Sequence, residues 1–230
     1  LLNSPEVETK FSKAWRPMQQ SRVWVAPRGH LPRKILLLGT EVQPTSANIL
    51  EIVQAPSITS YLSRAVVENF DLMVLGLFTR VHQERDALVE LCGVLRTNPY
   101  TREKALIAVL PGKHRQLLAR LQKVGVKYVM IAEKGDLLLQ DCLATLDLPL
   151  NHNYRIESLL LEICPFVNYL PINSRRELIL CGAYRNRLVL GPYRLGQLSE
   201  VPAYLSCEYY QAQKKREPSL SLGGRYQFPL

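Results

Sequence analysis

The sequence predicts an α/β protein: a doubly wound, five-stranded parallel sheet with strand order 2-1-3-4-5, followed by a small C-terminal α+β module. Three observations predict it. Short unbroken apolar runs such as KILLLG (34–39) and DLMVLGLF (71–78) have the composition of strands buried on both faces. Amphipathic stretches alternate with those runs, as parallel pairing requires. Beyond about residue 150 the alternation stops and a segment carrying Tyr and Cys begins.

Taken in order, residues 1–33 read as a basic arm with little regular structure, in which Trp15 and Trp24 cover an apolar edge of the neighbouring domain. KILLLG is the first strand. TSANILEIVQ (45–54) opens on capping residues and sets Ile49, Ile52 and Val53 on one face, which predicts a helix. SITSYLS (57–63) is taken as the second strand and RAVVENF (64–70) as a short helix or turn. DLMVLGLF is the third strand, and residues 83–96 form a helix with Leu88, Leu91, Cys92 and Leu95 at core spacing. ALIAVL (105–110) is the fourth strand, and residues 111–125 a helix that starts near a Pro and stops at Gly125. KYVMIA (127–132) is the last strand and residues 134–148 the last helix. Five such β–α units make an open sheet of the flavodoxin-like kind.

In the C-terminal module RIESLLLEICPF (155–166) is an amphipathic helix, and residues 176–195 are a hairpin of ELILCG and RNRLVL (185–190) joined by a tight turn. VPAYLSCEYYQAQKKRE reads as a turn followed by a helix. The resulting organisation is an arm (1–33), an α/β domain (34–150), a cysteine-containing module (151–212) and a basic tail (213–230).

Composition narrows the class. Apolar residues make up 47% and charged residues 21%, ordinary values for a globular protein. No apolar run approaches the roughly 20 residues of a transmembrane helix, and LLNSPEVETKFSK lacks the apolar stretch of a secretory signal. Five cysteines, an odd number spread over 230 residues, do not form a disulfide framework, so the expected location is cytoplasmic. The net charge of +9 sits at the two ends, around a neutral centre. Such ends suit nucleic acid, an anionic membrane surface or an acidic protein patch, and equally suit solvated arms.

FDLMVLGLF, then ALIAVLPG, then LARLQKVGVKYVMIAEKG, are similar to the second half of bacterial response-regulator receiver domains, and the resemblance covers residues 34–147. Receivers accept a phosphoryl group on an Asp at the end of the third strand, with Mg²⁺ held by acids after the first strand and the phosphoryl oxygens met by a Thr or Ser and a Lys. Gly76 stands at the acceptor position here. The first strand ends in Gly39-Thr40 with only Glu41 nearby, the fourth offers Leu110 or Pro111, and the fifth Ile131 or Ala132 with Lys134 close by. The resemblance therefore implies a pseudo-receiver, unable to be phosphorylated. An unrelated flavodoxin-like domain would lack the same groups. Neither a dinucleotide-binding glycine fingerprint nor a P-loop is present. The basic turn Pro111-Gly112-Lys113-His114 at a helix start is read as surface rather than as an anion site.

Cys164 in CPF, Cys181 in CG and Cys207 in SCEYY resemble small bacterial cysteine modules in which four thiolates hold an iron–sulfur cluster or zinc. Ser199 occupies about the place of the fourth cysteine, and a hydroxyl is a poor ligand for a soft metal site. What the resemblance implies is a ligand set of Cys164, Cys181 and Cys207, with Ser199, or with His152, Glu208 or water, completing it. The competing reading is that these cysteines are small core side chains, which is also the reading for Cys92 and Cys142.

The expected function is a non-enzymatic signalling, adaptor or scaffold protein with a protein partner, tuned by metal or redox state of the C-terminal cysteines. One alternative is a nucleic-acid-binding regulator using the basic ends, although no helix-turn-helix pattern is present. The other is an enzyme with a cysteine nucleophile and His152 or His114 as base, which no local motif supports. The sequence leaves the oligomeric state open.

Overall fold

A computed structural model of the chain describes residues 34–40, 51–132, 154–191 and 203–216. Its first layer is a five-stranded parallel sheet, β1 Lys34–Leu38, β2 Glu51–Gln54, β3 Leu72–Gly76, β4 Ala105–Leu110 and β5 Tyr128–Ile131, in the order β2-β1-β3-β4-β5. This is the flavodoxin-like arrangement. The three central strands are nearly all apolar because both of their faces are covered. β2, at one edge, leaves Glu51 and Gln54 exposed.

Three helices follow strands β2, β3 and β4: α1 Ile58–Val67, α2 His82–Thr97 and α3 Arg115–Lys123. They pack on one face of the sheet, where Tyr61 and Ala65 of α1, Leu91 and Leu95 of α2 and Leu118 and Leu121 of α3 meet Leu36, Met73 and Leu106. Alternate strand residues point the other way. Ile35, Leu37, Val74, Ile107 and Val109 form a second core with Ile52, Phe78, Tyr128 and Tyr154. Among the described residues no helix is long and apolar enough to cross a membrane.

The region around β2 differs from the sequence expectation. Residues 51–54, expected in a helix, are the edge strand, paired in parallel with β1 from Lys34↔Glu51 to Leu37↔Gln54. Residues 58–63, expected as a strand, open α1. The physical reason is Ser57. Its side chain accepts a hydrogen bond from the Ser60 amide at 3.2 Å and caps the helix. The β-branched Ile58 and Thr59 therefore fall in a first helical turn, where they cost little. The helix expected over 134–148 lies outside the described residues, as do residues 45–50 of the one expected over 45–54.

Residues 155–163 also belong to the first core. Tyr128 forms an antiparallel bridge with Arg155, and α4, Ile156–Glu162, runs beside α3. Ile156, Leu159 and the adjoining Ile163 are buried among the α/β core residues. Burial of one such side chain contributes roughly 1.5–3 kcal/mol.

The second layer is an antiparallel sheet of β6 Val167–Pro171, β7 Glu177–Cys181 and β8 Leu188–Val189, in that order. β6 was not expected from the sequence; it is a short edge strand ending in Pro171, which offers little periodicity to read. The expected strand 185–190 is shorter at its start. Arg185 and Asn186 are left-handed (φ 53° and 58°) and form the turn after a 3₁₀ segment Gly182–Tyr184. Asn168 Nδ2 donates to Asn186 Oδ1 at 2.8 Å and holds that turn. A 3₁₀ turn Ala203–Ser206 and helix α5 Glu208–Arg216 complete the described chain. Cys164, Val167, Cys181, Ala183 and Leu190 make a small third core, lined by Phe166, Tyr204, Tyr209 and Tyr210.

Candidate functional site at the carboxyl end of the sheet

Strand order reverses between β1 and β3, so the crevice beyond their carboxyl ends is where this architecture leaves room for a ligand. Gly39 follows β1 and Gly76 ends β3. The two backbones almost touch. A Cβ on Gly76 would lie 2.6 Å from the Gly39 carbonyl oxygen, and a Cβ on Gly39 2.7 Å from the Gly76 carbonyl oxygen. Gly39 also holds φ +69°, a conformation that glycine adopts without strain. A side chain at position 76 would thus run into main chain.

Above this glycine floor opens a cleft of about 600 Å³. Leu38, Ile58, Phe78 and Leu88 give it apolar walls. Ser57 at the start of α1 and Thr79, Gln83 and Glu84 at the start of α2 supply its polar groups. The Thr79 hydroxyl donates to the Glu84 carboxylate.

One loop further along the same edge is a polar joint between the two layers. His114, at the amino end of α3, stacks on Tyr169 of β6 with ring centroids 3.7 Å apart and planes 16° from parallel. Its Nδ1 accepts from the Leu117 amide at 3.1 Å, so its Nε2 carries the hydrogen that it donates to Glu177 Oε1 at 2.9 Å. Arg85 of α2 donates to the other Glu177 oxygen at 3.2 Å and to His82 Nδ1 at 2.8 Å. Burial pushes His114 below the ordinary imidazole value, although the Glu177 carboxylate and its hydrogen bond pull the other way. For Glu177, burial acts to raise the carboxyl, but the Arg85 hydrogen bond and the charges of His114 and Arg85 outweigh it and leave it lowered. Beside this joint Arg115 donates to the Leu160 and Ile163 carbonyls at 2.7 and 3.0 Å, and Lys113 pairs with Glu162 at 2.8 Å. The basic turn 111–114 is therefore paired with carboxylates of its own chain, and no cysteine is among the partners of His114 named here.

The cysteines lie elsewhere. Cys164 follows α4, Cys181 ends β7 and Cys207 precedes α5. The first two are buried and the third half-buried. Burial raises the Cys164 thiol, and Cys181 and Cys207 raise it further, so the three share one neighbourhood. Among the described residues, however, no group of three or more His, Cys, Asp or Glu side chains is placed to hold a metal ion. Ser199, Cys142, His152, Glu41 and Lys134 lie outside the described residues. Cys92 is a core side chain of α2 whose thiol burial pushes up to about 12.

Sequence reasoning found Gly76, since the end of a strongly apolar strand is easy to locate. It missed the joint. A histidine preceding RQLL is a weak helix-start signal, and its partner Glu177 is 63 residues away. No family model and no curated protein matches the chain.

Proposed function

We propose that this chain is a non-enzymatic signalling or adaptor protein, acting through protein–protein contacts of a receiver-like domain that carries no phosphoryl chemistry. The observation that supports this reading is the approach of Gly39 to Gly76. A phosphoryl acceptor needs a side chain at that strand end and room for a metal and three oxygens beside it. Main chain fills the place where that side chain would begin.

A partner needs accessible apolar side chains, and the opposite end of the sheet exposes two. Val67, at the end of α1, is 81% exposed and Tyr100, after α2, is 70% exposed. Lys104 ties the two segments together by donating to the Ala65 and Glu68 carbonyls at 3.1 and 3.0 Å. Exposed aliphatic and aromatic side chains on firmly held segments are the kind that interface cores are enriched in.

Two measurements test the reading on the full chain. Incubation with acetyl phosphate and Mg²⁺, read by intact mass, is expected to leave the protein unmodified; a phosphoaspartate would overturn the non-catalytic reading. Cross-linked capture from the source cells is expected to yield a partner set that the double variant Val67→Asp, Tyr100→Asp loses. Equal capture by both proteins would rule out this surface.

A further inference from the structure

The cleft at the β1–β3 crevice has no part in the Val67 and Tyr100 surface, and its chemistry is specific enough to name what fits it. We propose that it binds a small planar molecule that is neutral or cationic and carries N–H donors, and that it rejects anions.

Size and shape come first. About 600 Å³ lies within the range of small-molecule sites, roughly 300–1,000 Å³. Phe78 presents an aromatic ring to the space, with Ile58 and Leu88 as aliphatic walls, and the Gly39–Gly76 floor lets a flat ligand approach main chain directly. A planar ring system gains most from such a slot, since aromatic contacts add to simple burial.

Charge decides the rest. Crevices at this point of α/β sheets often take phosphates, because helix amino ends converge there. Here α1 and α2 both begin at the cleft, yet none of the described residues lining it is Lys, Arg or His. The one ionic group among them is Glu84, placed in the first turn of α2, where its negative charge offsets the helix dipole. A phosphate would meet that carboxylate with no counter-charge from these residues. An N–H donor or a cation would find acceptors in Glu84 and in the side-chain amide oxygen of Gln83, with the Ser57 and Thr79 hydroxyls beside them.

The test uses the full-length protein with labelled Ile, Leu and Val methyl groups, titrated with benzamidine, adenine and benzoate. Benzamidine and benzoate share one ring and differ in charge, and adenine is neutral. The expected result is saturable shifts of the Ile58, Leu38 and Leu88 methyl signals with benzamidine and adenine, and none with benzoate. Glu84→Gln is expected to weaken benzamidine by about threefold or more and to leave adenine within about twofold. Ala87→Phe, which fills the cleft from the α2 side, is expected to abolish both. Unchanged Leu36 and Leu106 signals report that this variant is folded; if it is not, Glu84→Gln decides alone. Absence of saturable shifts, benzoate binding as tightly as benzamidine, or indifference of benzamidine to Glu84→Gln would overturn the proposal.

Discussion

The imidazole of His114 lies flat on the ring of Tyr169, 3.7 Å between centroids, and together with the Arg115 amide, which donates to the Tyr169 hydroxyl at 3.3 Å, it holds the amino end of α3 against the first strand of the second sheet. The same imidazole uses both nitrogens. Nδ1 caps the helix and Nε2 reaches Glu177.

This geometry makes the joint acid-sensitive. Protonation of His114 would place a proton on Nδ1, the atom that accepts from Leu117. His114 is lowered by burial below its ordinary value of 6.5, so its contribution to stability is fully present above 6.5 and is lost as the pH falls. Glu177, lowered overall, acts in the same direction below its ordinary value of 4.5. The melting temperature of the full chain is expected to fall as the pH is taken from 7 to 5. In His114→Asn, whose side chain still caps the helix, that slope between pH 7 and 5 is expected to flatten, with a lower melting temperature at pH 7 from loss of the stack. Parallel thermal melts of the two proteins decide it.

The glycine floor predicts intolerance of the smallest side chain. Gly76→Ala sets a Cβ against the Gly39 carbonyl and is expected to cost about 1–3 kcal/mol by overpacking. Gly39→Ala adds a positive φ to a similar overlap and is expected to cost about 2–4 kcal/mol. Urea denaturation measures both. A neutral effect at either site would show that the strand ends part easily.

α4 belongs energetically to the parallel sheet. Ile156→Ala removes a fully buried side chain and is expected to destabilise the whole α/β core by about 2–4 kcal/mol, seen as an earlier single transition rather than as loss of the C-terminal part alone. Hydrogen exchange on β4 and β5 amides would report the same change. Exchange there that stays at wild-type rates would detach α4 from the core.

Thiol reactivity separates the cysteines. Cys207 is half-buried, whereas Cys92 and Cys164 are buried and held protonated by their surroundings. Among the described cysteines, iodoacetamide labelling followed by peptide mapping is expected to modify Cys207 before Cys164, and Cys92 only on unfolding. Early labelling of Cys92 would contradict its burial on the core face of α2.

Much of the fold was legible because the central strands announce themselves. An unbroken run such as LMVLG has one comfortable home, a strand covered on both faces. The edge was harder. β2 is four residues long with its two ends exposed, so its Ile52 and Val53 matched a helical face as well as a strand, and the strand assignment slid onto α1. Ser57 was the available signal, a capping residue immediately before the first helical position. At the candidate site, Gly76 could be placed from its strand, but not its contact with Gly39, which depends on how two parallel strands end side by side. The joint of Arg85, His114, Tyr169 and Glu177 draws on three regions far apart in sequence, α2, the start of α3 and the paired strands β6 and β7, and no local pattern encodes such a meeting.

The position of α4 has a consequence for how the chain is made. Synthesis proceeds from the amino end, so β1 through β5 leave the ribosome before Ile156, Leu159 and Ile163 are available. During that interval the α3 side of the nascent sheet presents apolar side chains to water with their partners still inside the exit tunnel. A chain truncated just after β5 would keep that flank uncovered, because Ile156, Leu159 and Ile163 would be missing from it.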